Sequence, residues 1–452
     1  MSTQHQPEVS PVGLEVEVEV GAVAHGGHCV ARHEGRVLFV RHALPGERVV
    51  ARVTEGAPRD SYWRADAVQV LSPSPDRVTP PCPWAGPGRC GGCDWQHATV
   101  SAQRALKAAV LTEQLERLAG LDAAALVPVV GEGGLVVEAV DGDGVDVEAG
   151  LRWRTRVQYA VGPGGRLGLR EHRSHRVVEI DDCRIAAPRA AEVDPQAVTW
   201  PGAEGVEVVA PQTGDDRLLV VTPRRTGEGR RLRLPTPPAP SSLAVVGEEG
   251  LARVRGRTWV AQEVQLPRGP RSFRVTGSGF WQVHPGAAAA LAGAVVASAG
   301  LEPGEHVADL YSGAGLLTAA LADEVGADGT VVSVEGDARA VADARRNLRD
   351  LPQVRVLPGR VDRALAAMAA DGERVDVVVL DPPRVGARRA VLERVVALAP
   401  RTVVHVACDP AALARDVAVL AELGYRLDGL RAFDLFPQTH HVEAVARLVR
   451  TG

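Results

Sequence analysis

Two short motifs carry groups that could do covalent chemistry on a ring. The run VDVVVL (375–380) ends in Asp381-Pro382-Pro383-Arg384, and TVVHVA (402–407) ends in Cys408-Asp409-Pro410. Both runs are rich in β-branched residues without polar alternation, the pattern of strands buried on both faces of a parallel sheet. Ligands of such sheets bind outside the carboxyl ends of the strands. A lone cysteine is usually an inert small hydrophobe. At a strand's carboxyl end, opening a helix at Pro410, Cys408 reads instead as a nucleophile, because a helix N-terminus favours a thiolate. A thiolate added to carbon 6 of a uracil makes carbon 5 nucleophilic enough to attack a sulfonium methyl. A base must then remove the carbon 5 proton so that the sulfur can leave. Glu443, in HHVEAVARLV (440–449), is flanked by Val442, Ala444 and Val445, and scarce water there would raise its affinity for a proton.

A cofactor crevice is legible on the same rim. HVADL (306–310) leads into Tyr311-Ser312-Gly313-Ala314-Gly315, where glycine lets a backbone approach a ligand. VVSVE (331–335) ends in Glu335, about twenty residues on, where an acidic side chain can bind both ribose hydroxyls. Thr318 stands where a dinucleotide fingerprint has its third glycine, so a nucleoside-type cofactor is expected rather than a pyrophosphate.

A third cluster reads as a metal centre. Cys82, Cys90 and Cys93 lie in the Gly/Pro-rich loop PCPWAGPGRCGGCDW (81–95), and Cys183 in VVEIDDCRI (177–185) is a spare thiol for the fourth position. Four thiolates suit an iron–sulfur cluster or zinc. Three ligands together and one distant differ from paired zinc knuckles, which favours iron–sulfur.

These groups need a scaffold of several parts. The chain has 452 residues, 45% hydrophobic and 24% charged, enough for two or three domains with their own cores. No apolar run reaches the about 18 residues of a membrane span. MSTQHQPEVSP lacks a secretory pattern, so a cytoplasmic chain without disulfides is expected. A net charge of −5 argues against a protein that is basic throughout, and Lys107 is the sole lysine among 51 basic residues. The alternating LEVEVEV (14–20), then Cys29–Arg32, Arg36–Val40 and Arg48–Val53, read as strands of a small β-barrel. The proline-rich 72–84 reads as a linker, and 99–119 as a helix. From 127 to about 265 the texture is β-rich, with an acidic hairpin or insertion at 131–150. After His284 strands alternate with helices such as 338–350 and 387–399, a doubly wound α/β domain.

With these residues in hand, the chain from about Val9 to Arg450 resembles the RNA uridine-C5 methyltransferase family. Gly21, Gly35-Arg36-Val37-Leu38-Phe39-Val40 and Ala43-Leu44-Pro45-Gly46-Glu47 resemble a TRAM domain, an OB-like RNA-binding barrel. The resemblance implies a multidomain α/β plus β protein: a TRAM barrel at 9–71, a central β-rich iron–sulfur domain at 80–270, and a Rossmann-like class I methyltransferase domain at 271–452. It implies that Cys82, Cys90, Cys93 and Cys183 hold a [4Fe-4S] cluster. Gln282 in GFWQVH, Tyr311, Gly313, Gly315, Glu335 and Asp381 would bind S-adenosylmethionine, Cys408 would be the nucleophile, and Glu443 the base. Asp409 departs from the asparagine usual after that nucleophile, and Leu316 from a polar residue in some relatives. The expected activity is methylation of carbon 5 of a uridine in RNA, 23S ribosomal RNA before transfer RNA, by a monomer without a membrane partner. The alternatives are a transfer-RNA uridine or cytosine-C5 methyltransferase, and a non-catalytic RNA-binding iron–sulfur protein.

Overall fold

The computed structural model describes residues 10–142, 150–224 and 232–451. Strands β1 (Glu15–Val23), β2 (Cys29–His33), β3 (Arg36–Arg41), β4 (Arg48–Glu55) and β5 (Tyr62–Ser72) close a barrel in the order β1-β2-β3-β5-β4. In β1 the alternation works as expected: Val16, Val18 and Val20 point inward and Glu15, Glu17 and Glu19 outward. Strand β5, which the sequence reading lacked, completes the barrel by pairing parallel to β3 and antiparallel to β4. The proline-rich stretch after it is tied down rather than free. Arg77 pairs with the buried Glu47 carboxylate of the Pro45-Gly46 turn at 2.5 and 2.7 Å.

Helix α1 (Val100–Ala119) starts at Thr99, whose hydroxyl accepts from Ala102 N, and stops at Gly120 in the left-handed conformation. Helix α2 (Ala123–Val130) and the two-residue β6 (Val137–Glu138) follow. The acidic stretch 131–150 shows no hairpin in its described part, and 143–149 lie outside the described residues.

A seven-stranded sheet then runs β13-β12-β11-β10-β7-β8-β9. Its strands are β7 (Arg156–Val161), β8 (Leu167–Arg170), β9 (Val177–Glu179), β10 (Ala203–Val209), β11 (Leu218–Pro223), β12 (Ser242–Gly247) and β13 (Gly250–Arg255), with α3 (Pro188–Ala191) after β9. The hairpin β14 (Trp259–Leu266) and β15 (Gly269–Thr276) packs Phe273 and Val275 into the C-terminal core.

That core surrounds an eight-stranded sheet, β18-β17-β16-β19-β20-β22-β21-β6. In chain order its elements are α4 (Ala287–Ala299), β16 (His306–Leu310), α5 (Leu316–Val325), β17 (Thr330–Glu335), α6 (Ala338–Asn347), β18 (Val354–Pro358), α7 (Val361–Ala370), β19 (Val377–Leu380), α8 (Arg389–Ala397), β20 (Thr402–Ala407), α9 (Pro410–Glu422), β21 (Tyr425–Phe433) and β22 (Glu443–Arg450). Strands β16 to β20 are parallel, and β22 inserts antiparallel beside β20. Every residue of β19 and β20 is buried.

The segment 80–270, expected as one central unit, contributes to three sheets: β7 to β13 form one, β14 pairs with β15, and β6 joins the eight-stranded sheet. Leu111 and Leu115 of α1, Leu126 of α2 and Val137 of β6 join the core that holds Leu413 and Val417 of α9. Lys107 explains why one lysine persists among the arginines. It is fully buried and donates to Asp434 and to the Phe436 carbonyl. No helix among the described residues is long and apolar enough to cross a membrane.

Asp309 sits inside β16, fully buried, with the Thr318 hydroxyl donating to it. Burial first, then Asp381 and Glu335, pushes its carboxyl up to about 7 against that hydrogen bond. A raised carboxyl stabilises the fold fully only below its unfolded value near 4, and that contribution is lost as pH climbs through about 7. The thermal midpoint should therefore fall between about pH 5 and about pH 8 more steeply in the wild-type chain than in Asp309→Asn. Parallel slopes would remove Asp309 from this role.

Candidate active site

The nucleophile candidate and the base candidate meet because β22 runs against β20. Ala407 pairs with Ala444 in that ladder. The antiparallel register carried on by one residue sets Cys408 opposite Glu443. Glu443 is buried at the first position of β22, where it also pairs with Phe433. Its carboxyl is pushed well above the usual range, by burial and then by Asp381, with Arg384 opposing. Asp381, at the end of β19, is pushed up to about 7 by exclusion from water. Cys408, Asp381 and Glu443 thus share a rim with the exposed Arg384, and of the four only Glu443 is fully shut off from water.

The thiol departs from the helix-terminus expectation. Cys408 is pushed up to about 12, first by burial and next by Glu443; Arg384 opposes, and Asp381 and Asp409 add to the rise. Asp409 caps α9 itself, accepting from Ala412 N at 2.8 Å, so its charge lies between the thiol and the helix dipole. A neutral thiol is the resting form. Asp409 also meets the barrel through a hydrogen bond, its carboxylate 3.1 Å from His25 Nε2. Nothing in the sequence pointed to His25, which sits in the turn between β1 and β2.

The loop carrying Arg384 is held from two sides. Asp416 of α9 accepts from Ala387 N and Arg388 N, at 2.7 and 3.1 Å, and from buried His405 at 3.0 Å. Arg384 donates to His441 Nε2 at 3.3 Å. Burial and His440 hold His441 down to about 3, so its ring is neutral and free to accept. His440 in turn meets Asp94, from its ring Nδ1 at 2.6 Å and its backbone N at 3.2 Å. Asp94 and the His440-His441 pair were visible in the sequence as neighbours of Cys93 and Glu443, yet without structure they carried no role.

The cofactor crevice lies beside this rim. Glu335 accepts from Gly313 N at 2.9 Å and Asp337 N at 2.6 Å, which fixes the carboxylate at the strand end while lone pairs remain for hydroxyls. The two glycines serve different ends. Gly315 has φ +91°, and an added Cβ would sit 2.8 Å from the Leu348 side chain, whereas Gly313 at φ +57° has nothing within 4 Å. The space over Gly313 is therefore open to a ligand. Tyr311, half-buried, also takes a positive φ, 63°. Gln282 lies half-buried on the segment between β15 and α4, next to Trp281, which packs on Phe273.

The cysteine loop does not form a single-ion site. Among the described residues no group of three or more His, Cys, Asp or Glu is placed to hold a metal ion, so Cys82, Cys90, Cys93 and Cys183 are not gathered as a ligand set. The Gln96 amide intervenes: it donates to Cys93 Sγ at 3.3 Å and accepts from Cys82 N at 3.1 Å. The thiols still feel one another. Cys93 is raised by burial, then by Cys183 and Cys90, and Cys90 by burial and Cys82. Gly92 N donates to Cys90 Sγ at 3.4 Å.

Comparison with known proteins adds an independent line. Residues 10–68 match the TRAM domain family, 285–374 the Protein-L-isoaspartate(D-aspartate) O-methyltransferase family, and 360–451 the tRNA (Uracil-5-)-methyltransferase family. An uncharacterized RNA methyltransferase of Streptomyces coelicolor is 50% identical over 443 residues, 97% of this chain and 94% of that one. The 23S rRNA (uracil(1939)-C(5))-methyltransferase RlmD of Shewanella baltica is 31% identical over 457 residues, 96% of each chain. Among solved structures, the Pyrococcus abyssi tRNA (uracil-54, C5)-methyltransferase in complex with S-adenosyl-L-homocysteine covers 96% of this chain and 100% of its own. Its TM-score is 0.68 at 21% identity, a likeness of fold.

Asp409 and Arg384 act on the thiol with opposite signs, which alkylation can read. Mass mapping of Cys408 after iodoacetamide should show Asp409→Asn reacting roughly threefold faster than wild type, and Arg384→Ala slower. Equal rates would mean that neither charge reaches the sulfur.

Proposed function

This chain belongs to the RNA uracil-C5 methyltransferase family, whose members use S-adenosylmethionine, and we propose that it methylates carbon 5 of a uridine in 23S ribosomal RNA through a covalent adduct with Cys408. The observation that carries the mechanism is the pairing of β20 with β22, which sets Cys408 across from a buried, proton-avid Glu443. The ribosomal substrate is supported by 31% identity to the 23S rRNA enzyme over 96% of both chains.

S-adenosylmethionine, when bound, supplies an electrophilic methyl. The residues over which it would lie are Gly313 and Tyr311 at the turn that Gly315 closes against Leu348, with Glu335 at the ribose and Gln282 and Asp381 beside it. The chain does the rest. Cys408 gives up its proton to Asp381, whose affinity near 7 suits a neutral solution. The sulfur then bonds to carbon 6 of the uracil, and electrons shift to carbon 5 and oxygen 4. Arg384, the cation that opposes the rise of both Cys408 and Glu443, offsets the charge that develops on the rim. Carbon 5 takes the methyl as the sulfonium bond breaks. Glu443 removes the carbon 5 proton, and the carbon–sulfur bond breaks to restore the thiolate. The target base must leave its stack to reach a thiol at a strand end, which favours an unpaired uridine.

For Cys82, Cys90, Cys93 and Cys183 the support for a shared group is their mutual electrostatic influence. Their fields overlap, and two of the sulfurs already accept N–H donors of the kind that tune iron–sulfur potentials. We assign them to a [4Fe-4S] cluster with a structural part in holding the loop around Asp94.

Four outcomes are expected. Cys408→Ala should lose methyl transfer by a factor of at least about a thousand, while isothermal titration shows S-adenosylmethionine binding unchanged; retained turnover would exclude the covalent route. Glu443→Gln should trap an RNA–protein adduct that survives a denaturing gel, and product forming at the normal rate without adduct would take Glu443 out of the base role. In cells lacking the gene, nucleoside mass spectrometry should show 5-methyluridine missing from 23S rRNA and retained in transfer RNA; the reverse would redirect the substrate. For the cluster, anaerobically isolated protein should carry about four iron atoms per chain, and Cys183→Ser far fewer; iron-free protein of normal stability would refute the assignment.

A further inference from the structure

Strand β20 carries one titratable side chain, His405, and it is wholly buried. Alternation puts it on the same side as Val403 and Ala407, which pack in the core with Leu413 and Val417 of α9. There it meets Asp416 of α9, itself 3% exposed, with Nε2 3.0 Å from Oδ2. The other ring nitrogen, Nδ1, lies 2.9 Å from the Val406 carbonyl. A carbonyl oxygen can only accept, so Nδ1 donates. Asp416 already accepts at both oxygens, from Ala387 N at 2.7 Å and Arg388 N at 3.1 Å. It is therefore the acceptor for Nε2 as well. With an acceptor on each side the ring carries both protons, and the pair is a buried imidazolium and carboxylate.

A buried ion pair adds little stability beyond what apolar residues of the same volume give. What this one supplies is direction. The loop 381–388 starts at Asp381, whose N–H donates to the Leu310 carbonyl at 3.2 Å, and turns where Gly386 N donates to the Pro383 carbonyl at 2.8 Å. Gly386 passes so close to the carboxylate that an added Cβ would lie 2.7 Å from Asp416 Oδ2. Arg388 is held at φ +66°, where residues with a side chain are uncommon. Arg384 stands exposed on the crest between these anchors. His405 also sits across the ladder from Leu380, the residue before Asp381, so one pair ties α9 and β20 to both ends of the loop.

We propose that Asp416, charged and backed by His405, is a positioning residue for the methyl transfer, fixing the backbone from which Arg384 reaches the charge that develops between Cys408 and Glu443. The inference rests on the reading of this rim as the methyl-transfer site and adds what holds its cation in place. Asp416 acts through the loop, from behind the reacting atoms. Arg384 opposes the proton affinity of both Cys408 and Glu443, and a displaced crest carries that charge out of register.

The test uses the full-length protein, transcribed 23S rRNA and tritiated S-adenosylmethionine. Asp416→Asn keeps the volume and gives up the charge. It should lower kcat roughly ten- to a hundredfold, with KM for both substrates little changed. In an Arg384→Ala background the same substitution should lower kcat by less than about twofold, since the group it positions is already gone. Equal losses in both backgrounds are what a merely structural residue gives, and they would overturn the proposal. Alkylation of Cys408 by iodoacetamide needs neither RNA nor turnover. Asp416→Asn should slow it as Arg384→Ala does, and a wild-type rate would count against the positioning role. A third measurement needs no variant: nitrogen-15 NMR of the wild-type protein should show both ring nitrogens of His405 protonated at neutral pH, and a ring with one bare nitrogen would overturn the charged pair. Wild-type protein that transfers no methyl, with alkylation slowed as expected, would sink the proposed function and keep the positioning. Normal wild-type transfer with Asp416→Asn equally fast would do the opposite.

Discussion

The antiparallel insertion of β22 beside β20 is the constraint on which the site depends. A sheet that stayed parallel throughout would bring only the carboxyl ends of strands to the ligand rim. Reversing one strand brings an amino end there too, and Glu443 is the first residue of that strand. The carboxylate thus enters the rim from the far end of the chain, on a backbone fixed by ladder hydrogen bonds to β20 and β21. Its burial does the rest. Removing water from a carboxyl raises its proton affinity, and the same dryness raises the facing thiol. The thiol therefore rests neutral, and the proposed route needs Asp381 and Glu443 ionised before they can accept its proton and the carbon 5 proton.

A second constraint is the way distant segments are sewn to the strip before β22. Asp94 N and Trp95 N both donate to the Gln438 carbonyl, and Gln103 exchanges two hydrogen bonds with Gln438. Trp95 reaches back to the Gly27 carbonyl of the barrel at 2.9 Å. Gly27 itself has no room for a side chain, since a Cβ would lie 2.6 Å from His440. The barrel turn, the cysteine loop and the base-bearing segment thus pack as one joint. A cluster bound by Cys90 and Cys93 would stiffen that joint from the side of Asp94, a structural part that needs no electron transfer.

Much of the C-terminal half was legible because buried parallel strands announce themselves. The runs ending in Leu310, Glu335, Leu380 and Ala407 all form strands within a residue or two of their sequence bounds, and Thr99 caps the helix expected after it. Motif order along the chain also reported which groups share the rim. What stayed hidden depends on tertiary contact. Strand β5 was missed because its inward residues Ala65 and Ala67 are small and give little hydrophobic contrast, although it is the longest of the barrel strands. The division of 80–270 among three sheets escaped because α1 docks on elements far along the chain, on α9 and, through Lys107, on Asp434, 327 residues away. The sign of the thiol's acidity was misread for a related reason. A helix terminus and the negative charge of Asp409 are visible in sequence, but the burial and the Glu443 carboxyl that weigh most against the thiolate appear only in space.

Release of hydrogen from carbon 5 tests the central claim most directly. RNA transcribed with uridine tritiated at carbon 5 is incubated with the protein and unlabelled S-adenosylmethionine, and tritium appearing in water is counted against methyl groups gained. The thiol–carboxylate site requires one tritium lost for every methyl added, and no release at all from Cys408→Ala. Methyl groups gained with the tritium still on the ring would contradict it.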